Sequence, residues 1–237
     1  MSNTWFRFKQ FMINQDRCAM KITTDACIQG AWTPALPEVK QVLDIGAGTG
    51  LLSLMLAQRC PKIHIDAIEF DKDAATQAKE NVALSDWKER INVIDGDART
   101  YSYPHKYDLI ITNPPFFIDS LLGPGDRKNM SRHTLSLDYL DILQIFKQNL
   151  NPDGYMSILL PAFEYSTWHG LASSKDLKEV GKLSVKNSSN SPVNRVVGIW
   201  SKNNKIKFPT QELEIKDAQN EYSPFFKLLL EDYYLGL

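Results

Sequence analysis

Apolar residues recur with two different periods along this chain, and the change from one to the other marks out its elements. Gln41–Ile45, Ile63–Phe70, Ile91–Ile94, Tyr107–Thr112 and Tyr155–Leu160 are short apolar runs, which predict buried strands. Leu51–Gln58, Asp73–Leu84 and Leu137–Asn149 repeat their apolar positions every three to four residues, which predicts helices between those strands. Strands alternating with helices imply an α/β fold, a mostly parallel sheet covered on both faces. Ahead of this rhythm, Trp5, Phe6, Phe8 and Phe11 interleave with Arg7 and Lys9, the pattern of a short strand or hairpin. Thr23-Thr24-Asp25 offers an N-cap to a helix over Ala26–Trp32, and Pro34 and Pro37 end it. Beyond residue 176 the period changes again. Leu177–Lys186, Arg195–Ser201 and Ile206–Ile215 read as strands with no long helix between them, so hairpins and antiparallel pairing are expected. Ser223-Pro224 opens a last helix through Leu230, and Asn187–Pro192 is a polar loop. Nothing reads as a repeat or a linker. One domain over residues 1–237 is expected, with an N-terminal extension over 1–35 and the α/β core over 36–237.

Composition narrows the class. The chain has 237 residues, 43% apolar and 23% charged, the profile of a water-soluble globular protein. No apolar run approaches the roughly 18 residues of a membrane span, and no basic-then-apolar leader precedes Arg7. Cys18, Cys27 and Cys60 are not spaced as metal ligands and read as free thiols in a reducing cytoplasm. The four histidines are scattered, and no metal site is expected. A net charge of −1 excludes a strong overall attraction for nucleic acid. Local charge differs. Lys182, Lys186, Arg195, Lys202, Lys205 and Lys207 fall in a stretch without an acid, and Arg127, Lys128 and Arg132 cluster with His133. Such stretches either meet phosphates or form a solvated face.

Asp44-x-Gly46-x-Gly48-x-Gly50 sits between a predicted strand and a predicted helix. Glycine there permits positive φ and close approach of backbone to a ligand. A dinucleotide site wants G-x-G-x-x-G, but Leu51 stands where its third glycine belongs. The Asp44 carboxylate would repel a pyrophosphate and suit a cationic ligand carrying an amine. The loop resembles the methyl-donor loop of class I methyltransferases, which implies S-adenosylmethionine; a nicotinamide site is the competing reading. Glu69 ends the second strand of the core, 23 residues after Gly46, where an acid takes ribose hydroxyls in nucleotide sites. Asp71 is its rival. Asp95-Gly96-Asp97-Ala98 follows the third strand. The class resemblance implies that Asp97 accepts from the adenine amino group of the cofactor and that Ala98 offers backbone.

Asn113-Pro114-Pro115-Phe116 closes the fourth strand. An exocyclic amine on a base is a poor nucleophile, because its lone pair is delocalised into the ring. Two acceptors for its N–H groups favour a pyramidal nitrogen. The Asn113 side-chain oxygen and the Pro114 carbonyl suit that task, held by the fixed φ of two prolines. Phe116 supplies a flat face for a base taken out of its stack. Similar tetrapeptides occur in methyltransferases acting on adenine N6, guanine N2 and glutamine amides, so the motif leaves the substrate open.

The segment Phe8-Lys9-Gln10-Phe11-Met12-Ile13-Asn14-Gln15-Asp16-Arg17-Cys18-Ala19-Met20-Lys21, continuing through Thr23-Thr24-Asp25-Ala26 to Gly30-Ala31-Trp32, narrows the choice. It resembles the signature of the bacterial tRNA1(Val) (adenine-37-N6)-methyltransferase family. That resemblance implies a class I, Rossmann-like methyltransferase core, S-adenosylmethionine as donor, and methylation of an adenosine in the anticodon loop of tRNA. It also implies that residues 1–35 close over the cofactor, with Met20 and Lys21 at its methionine part and Lys21 near its carboxylate. Cys27-Ile28-Gln29 departs from an expected aliphatic run, at little cost if Gln29 faces outward. Leu121–Thr134 is expected to be a lid touching RNA phosphates through Arg127, Lys128 and Arg132. The protein is expected to act as a monomer. An rRNA guanine-N2 methyltransferase, a protein glutamine methyltransferase and a non-catalytic RNA-binding module remain as alternatives.

Overall fold

The computed structural model describes residues 3–115 and 137–237. β1 (Trp5–Arg7) and β2 (Met12–Asn14) form the expected antiparallel hairpin. α1 (Thr24–Trp32) begins where the Thr23 hydroxyl accepts from the Ala26 N–H. The alternation then unfolds as read: β3 (Gln41–Ile45), α2 (Leu51–Arg59), β4 (His64–Glu69), α3 (Lys72–Ala83), β5 (Ile91–Asp95) and β6 (Tyr107–Thr112). α4 (Tyr139–Asn149) leads directly into β7 (Leu150–Pro161), followed by α5 (Ala162–Ser174). β8 (Lys178–Ser188), β9 (Val193–Ser201), β10 (Thr210–Lys216) and α6 (Pro224–Leu230) complete the chain.

Eight strands form one sheet in the order β10-β8-β9-β7-β6-β3-β4-β5. The five strands from β7 to β5 run parallel, so their carboxyl ends gather along one edge. One face of the sheet buries Val42, Leu109 and Leu159 with α1 and α2. The other buries Leu43, Ile110 and Ile158 with α4 and α5. The alternation of β positions between faces therefore produces two apolar layers, as a sheet covered on both sides requires.

Three expectations are corrected. β9 is antiparallel to β7 and β8, but β10 pairs parallel with β8. A second consecutive hairpin would have laid β10 against β9, whose two edges β7 and β8 already occupy. The chain instead passes across the end of β8, where the Phe208 N–H donates to Val180 O at 2.6 Å. It enters the free edge of β8 running the same way. Secondly, α5 was not anticipated from sequence. Its buried residues Glu164, Tyr165, Trp168 and Ala172 have helical spacing, but one is a carboxylate and exposed Phe163 breaks the stripe. Thirdly, β7 starts at Leu150, through an Asn-Pro-Asp-Gly that reads as a turn, with a register shift against β6 between Tyr107 and Leu109.

Gly198 lies inside β9, paired with Lys182 on one side and Ile158 on the other. A Cβ there would stand 2.6 Å from the Tyr165 ring and 2.8 Å from Trp200 Nε1, both on buried side chains. Gly198→Ala is expected to destabilise the protein by roughly 1–3 kcal/mol through overpacking. Denaturant midpoints check this; a wild-type midpoint would contradict the packing described.

Candidate functional site

The glycine loop joins β3 to α2 at the carboxyl edge of the sheet. Gly46 has φ +71° and Gly48 φ +55°, a region that L side chains rarely adopt. A Cβ on either would project into open space rather than against protein, so a ligand has room beside the bare backbone. Gly50 closes the loop as the cap residue of α2. The loop is held from β4. Ile68 O accepts from the Gly46 and Ala47 N–H groups at 2.9 and 3.1 Å, and Glu69 Oε2 accepts from the Gly48 N–H at 2.8 Å.

A cavity of about 320 Å³ opens above the loop. Met20, Lys21, Gly46, Gly48, Glu69, Asp97, Ala98 and Asn113 all line it. Residues far apart in sequence, each singled out from it, thus line one cavity. Asp44, Gly50 and Pro114 do not line the cavity, whereas Pro115 does. Phe116, Arg127, Lys128, Arg132 and the expected lid over Leu121–Thr134 lie outside the described residues. Cys18, Phe70, Asp71 and Leu137 also line the cavity and were not singled out as cofactor contacts, apart from Asp71 as the rival to Glu69. Phe70 offered one signal, an aromatic directly after the strand-end acid. Cys18 and Leu137 offered none.

The two rival acids have different partners. Asp71 Oδ1 caps α3, accepting from the Asp73 and Ala74 N–H groups at 3.0 and 2.9 Å. Glu69 bridges the Gly48 and Asp71 N–H groups at 2.8 Å each, at the cavity wall. The Arg99 guanidinium grips Asp97 at 2.6–3.0 Å and holds its carboxyl below the usual range. Asp97 therefore presents ionised oxygens that accept from an amine. The Cys18 thiol is pushed up to about 11, by burial first and then by Glu69 and Asp71. Lys21 Nζ donates to Asn3 O at 3.1 Å, which ties the segment before α1 back to the start of the chain.

Asn113 follows the last residue of β6. Its side-chain oxygen is buried without a hydrogen-bond partner among the described residues. A buried acceptor left open at a cavity wall suits a ligand N–H. Directly before it, the Thr112 hydroxyl donates to Ile45 O at 2.9 Å and fixes the end of β6 against β3. Gln29 faces inward, not outward: it is fully buried and its Nε2 donates to Thr112 O at 2.9 Å.

The basic stretch Lys182–Lys207 does not form one face. Lys186 and Arg195 lie toward the carboxyl edge of β7, paired with Glu212 at 2.7 Å and Asp25 at 3.0 Å. Lys202 and Lys205 lie at the opposite edge, on Leu150 O and Asp153 at 2.8 Å each. An antiparallel strand carries its two ends to opposite edges of the sheet, so charges contiguous in sequence separate in space.

Asp44 sits beneath the loop with no exposure, its Oδ2 accepting from Ser53 Oγ at 2.7 Å. Burial pushes its carboxyl up from 3.8 to about 7, with the Ser53 hydrogen bond opposing. The folded state thus binds this proton more tightly than the unfolded chain. The resulting stability is complete below about pH 4, declines as pH rises, and is gone above about pH 7. Asp44→Asn keeps an acceptor for Ser53 and carries no charge. It should be more stable than wild type above pH 7, by up to about 4 kcal/mol, with the margin vanishing near pH 4. Thermal melts of the two proteins across that range test this, and a margin independent of pH would contradict it.

Known proteins resemble this chain in sequence and in fold. Residues 32–123 match the family model of the methyltransferase small domain. Among solved structures, a predicted O-methyltransferase from Agrobacterium tumefaciens superposes with a TM-score of 0.68 at 16% identity, over 88% of this chain and 96% of that one. A glycopeptide N-methyltransferase solved with S-adenosyl-L-methionine superposes with a TM-score of 0.55 at 11% identity, over 78% of this chain and 97% of that one. The fold is that of class I methyltransferases. The tRNA1(Val) (adenine(37)-N6)-methyltransferase of Tolumonas auensis is 41% identical over 233 residues, 98% of this chain and 97% of its own. The protein of the same name from Dyadobacter fermentans is 40% identical over 237 residues, 98% of each chain. Identity at that level, sustained along nearly the whole length of both partners, makes this chain a member of the tRNA1(Val) (adenine(37)-N6)-methyltransferase family.

Proposed function

We propose that this protein methylates the exocyclic N6 of an adenosine in the anticodon loop of tRNA, position 37 of tRNA1(Val), with S-adenosyl-L-methionine as donor. The observation that carries the reading is the shared cavity. Asn113, whose side-chain oxygen has no partner among the described residues, lines the same cavity as the glycine loop, Glu69 and Asp97. The full-length relatives bear that activity as their name.

The residues fit the donor. Bare backbone at Gly46 and Gly48 lets an extended ligand lie against the loop. Glu69 would accept from the ribose hydroxyls, Asp97 from the adenine amine, and the Ala98 backbone would meet the ring edge. Met20 and Lys21 would close the methionine end. When bound, the donor supplies an electrophilic methyl group. The Asn113 side-chain oxygen and the Pro114 carbonyl would accept both N–H groups of the target amine and turn its lone pair toward that methyl. Catalysis is then mainly positioning and oriented acceptors. No strong base is required, because a nitrogen that has gained an alkyl group and a positive charge loses its proton readily. Anticodon-loop bases are unpaired or easily splayed, so bringing one to Asn113 costs a few kcal/mol at most. Three free cysteines support action in a reducing cytoplasm.

The test is methyl transfer from labelled donor to unmodified valine tRNA, followed by mass analysis of the nucleosides. N6-methyladenosine from the anticodon loop is expected. Asn113→Ala should lower kcat by about a hundredfold or more while donor affinity stays within about threefold. Methylated guanosine, or turnover that survives Asn113→Ala, would contradict the reading.

A further inference from the structure

Gln29 does not line the cavity, yet it touches the chain one residue before Asn113. Its side chain is fully buried on α1, with Nε2 2.9 Å from Thr112 O and 3.4 Å from Ser157 Oγ. A main-chain carbonyl only accepts, so the amide nitrogen must face it and the orientation of Gln29 is fixed. Thr112 is the last residue of β6, and beyond Asn113 come two prolines. Prolines donate no ladder hydrogen bond. The place of Asn113 therefore depends on what holds Thr112. Among the described residues, two bonds do so from outside the strand's own ladder: its hydroxyl to Ile45 O on β3, and Gln29 to its carbonyl.

The other end of α1 belongs to the cavity. Ala26 lines it, as do Met20, Lys21 and Ile22 on the approach to the helix. α1 thus joins the wall expected over the donor to the turn that presents the acceptor. Packing alone would be met by an aliphatic side chain, which fills similar space without burying an amide. A glutamine at this position contributes what an aliphatic residue does not, a donor to Thr112.

We propose that Gln29 is a positioning residue: by holding the Thr112 carbonyl it sets the Asn113 oxygen and the Pro114 carbonyl toward the target amine. The inference rests on the reading of Asn113 as acceptor given above.

Gln29→Met keeps length and apolar volume and loses the donor; Gln29→Leu is the second variant should the first not fold. Ser157→Ala is the control. It removes the hydroxyl that lies 2.7 Å from Thr33 Oγ1 and 3.4 Å from Gln29, and spares the bond to Thr112. Either Gln29 variant should lower kcat by about tenfold to a hundredfold, with KM for donor and tRNA within about threefold. Ser157→Ala should keep kcat within about twofold. Amide hydrogen exchange at Ile111–Asn113 should quicken in the Gln29 variants and not in the control. Wild-type kcat in a folded Gln29 variant, or an equal loss in Ser157→Ala, would overturn the proposal. If the wild-type protein methylates no adenosine, the reading of function fails separately. Exchange then decides the positioning role: unchanged rates at Ile111–Asn113 would refute it.

Discussion

Glu69 ties together three parts of the site that have no other common partner among the described residues. Its carboxylate accepts from the Gly48 N–H in the glycine loop and from the Asp71 N–H at the start of α3, both at 2.8 Å. Its carbonyl accepts from the Gly96 N–H at 2.9 Å, beside Asp97. The loop between β3 and α2 has three residues at positive φ and forms few bonds within itself. Such a loop carries a high entropic cost of ordering. The bonds from Ile68 O and Glu69 select one of its conformations before any ligand arrives, which is what a preorganised binding surface requires.

That arrangement depends on register. Ile45 pairs with Ile68 and with Thr112, and Glu69 pairs with Asp95. Four strand ends therefore stop at one level, and the side chains that follow them meet above the sheet. A slip of one residue in any of these strands would turn its side chains to the other face. The apolar layers on both faces oppose such a slip, so the hydrophobic pattern that builds the core also aligns the site.

Much of this was legible because it depends on local chemistry. Asp44-x-Gly46-x-Gly48-x-Gly50 and Asn113-Pro114-Pro115 bear residue types that only special backbone or special acceptors explain. The strands β3 and β6 were bounded to the residue by their apolar runs. What escaped depends on partners that the local sequence does not name. The direction of β10 follows from which sheet edge was free. α5 was hidden because its buried Glu164 accepts from Tyr139, a contact from another helix. Lys182–Lys207 reads as one basic run, yet the strands send its charges to opposite edges and onto partners in β10, α1 and β7. Gln29 looked like an outward-facing exception, and the acceptor that pulls it inward lies 83 residues away.

If the cavity held together by Glu69 takes the donor, as proposed, the donor must bind there before any RNA does. Calorimetric titration of S-adenosyl-L-methionine into wild-type protein and Glu69→Gln tests it without any RNA. Saturable binding at one site is expected in the wild type. The variant should bind about tenfold to a hundredfold more weakly, as the loss of charge-assisted hydrogen bonds implies, with its sheet intact by circular dichroism. Equal affinity in the two proteins, or no binding by the wild type, would contradict it.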